Sequence, residues 1–214
     1  MSTKNTVLVS LVLILIGTLA GIFLWDRLPV LVASHWGTND QVNGYMPRFW
    51  GVALMPMVTL GMLALFLVLP SMDPLKANVE QFRETFNNFI ALIIAFMIYI
   101  HFLTLIWNIG ITNFRMSSAM LPAMGLLFIF TGSLVKKAKR NFFIGIRTPW
   151  TLSSDRVWDG THQVGGKLFT AAGFIALLGA FFPDYSVWFL LIPVLGASIF
   201  SVAYSYYLFQ SGGQ

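Results

Sequence analysis

Residues 85–114 read TFNNFIALIIAFMIYIHFLTLIWNIGITNF, from Thr85 to Phe114 without one Asp, Glu, Lys or Arg. A hydrocarbon core about 30 Å thick is crossed by about 20 apolar helical residues, and this stretch exceeds that length. Five more charge-free runs flank it: Asn5 to Trp25, Phe49 to Met72, Met116 to Val135, Leu168 to Pro183, and Tyr185 to Gln214. The composition agrees, with 57% hydrophobic residues and only 10% charged ones. A water-soluble domain carries about 25% charge. The expected fold class is therefore all-α integral membrane, a six-transmembrane-helix bundle.

The fifth run is short. Lys167 can snorkel to extend it, and Gly173 and Gly179 allow close helix packing. Two readings stay open: a full crossing, or a re-entrant segment that would put the C-terminus outside. The first run is longer than a signal-peptide core, and Trp25-Asp26-Arg27 is not a small-residue cleavage site. Trp25, Trp50, Trp107, Trp188, Tyr206 and Tyr207 fall near expected span ends, as an interfacial belt does.

Orientation follows from Lys and Arg in the connections. Ten lie on one side (Lys4, Lys76, Arg83, Lys136, Lys137, Lys139, Arg140, Arg147, Arg156 and Lys167) and three on the other (Arg27, Arg48 and Arg115). Both termini are thus expected inside. The loop Asp26–Arg48 faces out. The net charge of +5 is concentrated after the fourth run, where Lys136, Lys137, Lys139 and Arg140 point to a bilayer with anionic headgroups as partner rather than to direct nucleic-acid binding. Two units are expected: 1–75, two helices with an ordered outer loop, and 76–214, four helices with an inner loop.

The outer loop is read as a short strand, a turn and a return. Val30, Leu31 and Val32 favour the strand, Asn43-Gly44 is a two-residue turn signal, and His35-Trp36 follow the strand. In the inner loop, Ser153 or Ser154 can N-cap a helix with Asp155 in its first turn. Val157, Trp158, Thr161 and His162 then share one face, and Gly165-Gly166 end or kink that helix. This is an amphipathic inner helix lying in the interface.

Chemistry is sparse. There is no cysteine, which removes thiolate ligands and nucleophiles. His101 is the one ionisable side chain within a run, with Thr104 and Asn108 below it on the same face. Such a stripe either satisfies neighbouring helices or lines a cavity. His35, His101 and His162 fall at three depths and cannot share a metal. No GxSxG, HExxH or phosphate-loop pattern occurs. No cofactor and no metal is expected.

The inner loop carries a long motif: Asn141, then Ile144-Gly145-Ile146-Arg147-Thr148-Pro149-Trp150-Thr151-Leu152, Val157-Trp158, Thr161-His162 and Gly165-Gly166. It resembles the signature of the SdpI family, bacterial membrane immunity proteins against a secreted sporulation-delaying toxin. Leu28-Pro29, His35-Trp36, Gly44-Tyr45 and Pro47 resemble a small domain of unknown function that often precedes it. The resemblance implies a multi-pass protein of the bacterial cytoplasmic membrane that protects against a peptide toxin or another membrane-active ligand. It also implies a signal, given by holding a cytoplasmic transcriptional repressor at the membrane. Candidate binding residues follow: His35, Trp36, Gly44 and Tyr45 outside, His101 within, and Asn141, Gly145, Arg147, Thr148, Pro149, Trp150, Trp158, Thr161 and His162 inside. Three classes are weighed: a binding protein without catalysis, a small-solute or lipid transporter or channel using the His101 stripe, and an intramembrane enzyme near Arg147 and His162. The first is taken forward.

Overall fold

The computed structural model describes residues 1–212; the last two positions of the sixth run lie outside the described residues. The chain is mostly helical. The long helices are α1 (Thr3–Phe23), α2 (Arg48–Met72), α4 (Arg83–Asn108), α5 (Met116–Lys137), α7 (Asp155–Gly179) and α8 (Ser186–Gln210). Two short helices, α3 (Lys76–Glu80) and α6 (Pro149–Ser153), sit in connections, and strands β1 (Leu31–Trp36) and β2 (Val42–Pro47) form an antiparallel hairpin. Among the described residues, five helices are long and apolar enough to cross a membrane: α1, α2, α4, α5 and α8.

The sixth long helix, α7, corrects the expected inner helix. Gly165-Gly166 neither end nor kink it, and the face of Val157, Trp158, Thr161 and His162 is the first part of one helix that runs on to Gly179. The glycines serve packing instead. A Cβ on Gly166 would meet the Gly132 carbonyl oxygen of α5 at 2.6 Å, and one on Gly132 would meet that of Gly166 at 2.5 Å. Two turns along, Gly125 and Gly173 face each other in the same way. Bare backbone on both helices lets α5 and α7 approach as no side chain would allow.

The long helices group as two triplets. α1, α2 and α4 pack together, α5 and α7 pack with α8, and the triplets meet chiefly where α4 touches α5. Phe86, Ile90, Ile94 and Ile98, spaced four apart on α4, are buried and continue into Leu134, Ile144 and Trp158. A smaller core of Leu28, Val32, Val52 and Leu105 lies under the hairpin. Outward faces carry exposed Leu15, Leu60, Leu195 and Ile199, as lipid-facing helices do.

Contacts between distant residues assign each connection to one of two ends. At the hairpin end, Asn108 reaches β1, and Arg115 pairs with Asp184. At the opposite end, the start of α1 meets Asn87, and the α2–α3 connection meets the loop before α6. Nine of the ten expected inside basic residues lie toward this second end, Lys167 lies midway along α7, and the three others lie at the first.

Candidate functional site

At the hairpin end β1 takes in Leu31 and Val32 of the expected strand, but the turn lies elsewhere. It spans Gly37–Gln41, closed by Gly37 N–H to the Gln41 carbonyl at 2.9 Å, with Asp40 at a positive φ of 59°. Asn43 and Gly44 lie inside β2, and His35-Trp36 lie inside β1 rather than after it. Gly44 is opposite His35 at a register irregularity, where a Cβ would come within 2.9 Å of the His35 Cβ. Asn43 engages the His35 ring through its side-chain oxygen.

Two residues from other helices hold the hairpin in place. The Asn108 amide acts as a peptide group: its oxygen accepts the Ala33 N–H at 2.7 Å and its nitrogen donates to the Ala33 carbonyl at 3.0 Å. The Asp40 carboxylate accepts from the Ser117 N–H at 2.8 Å and the Ser117 hydroxyl at 2.7 Å, at the start of α5. An acceptor there satisfies an orphan helix donor, and its charge suits the helix dipole. Trp36 packs edge-on against Trp107, which meets Phe114. Tyr45 is exposed.

Under the hairpin, between the triplets, lies a chamber of about 380 Å³. Met55, Met116, Met120 and Met124 line it, with Thr104 below and His35 and Trp36 at the roof. Methionine is flexible and polarisable, so such a wall adapts to varied apolar surfaces. The stripe read from sequence divides here. Thr104 faces the chamber and Asn108 holds the hairpin. His101, buried, faces Gly17 and Gly21 of α1 and is not among the residues lining the chamber.

The opposite end is built around Asn141, which is fully buried. Its side-chain oxygen accepts the N–H groups of Phe143 (2.9 Å) and Ile144 (2.6 Å), and its nitrogen donates to the carbonyls of Lys139 and Ile144, both at 2.8 Å. One amide thus folds the whole turn. Gly145 follows at φ +120°, where a side chain would run into the His162 ring. The Trp158 and His162 rings stack at 3.9 Å, and the indole N–H donates to the Ala138 carbonyl at 2.8 Å.

His162 is read unambiguously by its partners. Nε2 accepts the Ile146 N–H at 3.0 Å, so the ring proton sits on Nδ1 and is donated to the Trp158 carbonyl at 2.8 Å. The residue precedes the apolar part of α7, level with the end of α5, where Gln163 bonds the Lys136 carbonyl. Burial pushes its imidazole down to about 4, against smaller upward pulls from the Trp158 carbonyl and the Asp159 charge.

Thr148 and Thr151 form a reciprocal capping box with Pro149 as the first residue of α6. The Thr148 hydroxyl also meets Ser205 of α8 at 3.0 Å. Of the two serines weighed as a cap for the next helix, Ser154 does it, with Asp155 in the first turn. Trp150 packs on Tyr206. Thr161 is buried with no partner for its hydroxyl among the described residues. Arg147 differs from all of these: it is exposed, and its guanidinium donates to the Phe142 carbonyl at 2.7 Å.

Sequence reasoning missed Asp73. It is buried at the end of α2, accepts the Leu75 N–H at 2.7 Å, and accepts the Phe142 N–H at 2.8 Å across the triplet boundary. Nearby, Asn78 donates to the Arg140 carbonyl at 2.8 Å. A lone Asp following an apolar run reads as an ordinary loop residue, and nothing in its neighbourhood marks the partner 69 positions away.

A family model described as the SdpI/YfhL protein family matches residues 137–205, from the end of α5 through the signature loop into α8. A domain of unknown function (DUF1648) matches residues 12–60, which hold the hairpin. Over 205 residues, 95% of each chain, the sequence is 25% identical to "Immunity protein SdpI" of Bacillus subtilis (strain 168). The signature loop and the helices around it are thus similar to the SdpI/YfhL family. With these matches and its five apolar helices, the chain is a multi-pass cell-membrane protein. No solved structure matches the chain. The two family-model matches cover the two ordered ends, while α4 and nearly all of α5, which join them, fall outside both.

Proposed function

We propose that this chain is a membrane immunity protein that protects its cell from a membrane-active peptide, acting by binding and not by catalysis. The end-to-end match to a protein named as an immunity protein carries the reading. In this reading all six long helices cross the membrane, α7 through its apolar part, with both termini cytoplasmic. The asymmetry of ten basic residues against three supports that orientation. The hairpin of the 1–75 unit meets the peptide from outside, and the chamber takes an apolar part of it. The 76–214 unit presents the signature loop to the cytoplasm, where exposed Arg147 and half-buried Trp150 form the contact for a repressor.

The decisive experiment expresses the chain in sensitive bacteria and challenges them with a panel of secreted membrane-active peptides while membrane potential is recorded. Protection against at least one peptide is expected, and it is expected to be lost in Met120→Trp, which fills the chamber. An inserted chain that protects against none of them overturns the reading. Because the protein has no cysteine, single cysteines at Thr38 and Ser153 report orientation directly. An impermeant thiol reagent labels the first in intact cells and not the second.

A further inference from the structure

A second cavity lies at the signature end and has no part in the reading above. It holds about 300 Å³ between the triplets, bounded by Phe66 of α2, Phe89 of α4, Thr131 of α5, Phe169 of α7 and the loop segment Phe143–Ile146. Its lining is almost wholly apolar. In water such a recess would close or stay dry, but among membrane helices the surrounding solvent is hydrocarbon.

The mouth has a different chemistry. Gly145 is exposed while lining the cavity, so the recess opens beside the loop. The bond from Arg147 to the Phe142 carbonyl ties together the two residues that flank the lining segment Phe143–Ile146, which keeps the guanidinium beside that segment. Arg147 pairs with no carboxylate among the described residues. Asp73, bonded to the other side of Phe142, has both oxygens taken by backbone N–H groups. A guanidinium has five N–H donors in a fork that suits phosphate, and the Phe142 bond uses one. An apolar slot with an unpaired cation on the residue that follows its lining segment matches an amphiphile with a hydrocarbon tail and an anionic head.

We propose that this cavity and Arg147 form one site for a single anionic phospholipid, with an acyl chain between the triplets and its phosphate on Arg147. Charge complementarity selects this occupant. The lipid would bridge α2 and α4 to α5 and α7 beside the contacts the triplets already make there. The signature loop would then sense the headgroup it sits on, independently of any peptide.

Native mass spectrometry of the full-length chain tests this, after exchange from neutral detergent into micelles doped with phosphatidylglycerol or phosphatidylcholine. Wild type is expected to keep one phosphatidylglycerol per chain, preferred about tenfold over phosphatidylcholine, the value of one charge-assisted contact. Arg147→Gln is expected to abolish the preference and Arg147→Lys to restore part of it. Thr131→Phe, or Leu69→Trp if that variant does not fold, is expected to remove retention of both lipids with Arg147 intact. Wild type without a retained lipid overturns the site, as does an unchanged preference in Arg147→Gln. Full retention in a folded cavity-filling variant shows headgroup contact alone and overturns the inserted chain.

Discussion

Each end of this molecule is ordered by one asparagine, and the two work in opposite ways. Asn141 satisfies groups within three residues of itself and makes the signature loop a self-contained turn. Asn108 satisfies Ala33, 75 positions away, and the hairpin depends on α4 for its place. The carboxylates do not share this contrast. Asp40 ties the hairpin to the other triplet, as Asp73 does for the signature loop. One end is thus a rigid piece fastened at its edge, and the other is a roof suspended from two helices over a soft chamber. In the proposed function the hairpin end takes the ligand and the signature end presents a surface to the cytoplasm.

The largest expected effect is at the rigid end. Trp158→Ala removes the stack on His162 and the Ala138 bond, and should cost about 4 kcal/mol, read as thermal or denaturant unfolding in micelles. A cost below that of a hairpin aromatic such as Trp36→Ala would reverse the contrast. Acid probes the same core. The His162 pKa is lowered from 6.5 to about 4 in the folded protein, so the unfolded chain binds the extra proton between those values. Its contribution is complete above pH 6.5, falls as pH drops toward 4, and amounts to about 3 kcal/mol. His162→Gln should flatten that limb of a stability–pH curve; a limb that persists unchanged assigns it to other groups.

Asn108→Ala should cost about 2 kcal/mol, because both peptide groups of Ala33 lose their partners. Its sharper signature is local: hydrogen exchange should accelerate in β1 and β2 and leave residues 139–146 as they were. Uniform acceleration at both ends would abolish the distinction between a suspended and a self-contained loop. Asp40→Ala removes a helix-end acceptor and should cost about 1 kcal/mol, with the change confined to the hairpin and the start of α5. Arg147→Ala is expected to change stability by less than about 0.5 kcal/mol, since the side chain is exposed. Protection and signalling assays on that variant isolate what the loop presents from what holds it together.

Much of the signature motif that reads as a binding set is architecture. Asn141, Thr148, Trp158, Thr161 and His162 are buried, and Gly145 keeps a backbone conformation that only glycine adopts freely. The helical period at Val157, Trp158, Thr161 and His162 was legible because burial of a helical face repeats along one element. Asp73 was not legible, nor was the service of Gly165-Gly166 to packing. A glycine pair is a helix breaker by local propensity, and only a facing pair of glycines on α5 turns it into a contact surface.

By itself the sequence determined the long apolar helices, because the length and hydrophobicity a bilayer demands are properties of a continuous stretch. It determined the charge asymmetry for the same reason, and a serine cap for α7, whose partner lies within three residues. Only the tertiary structure decided where the hairpin turns, that α7 is one helix, and which cavities open between the triplets. Asn43-Gly44 is the stronger local turn signal, yet the chain turns at Gly37–Gln41 with Asp40 bonded to Ser117. That bond comes from a helix start 77 positions away, and no local propensity reports which ends meet.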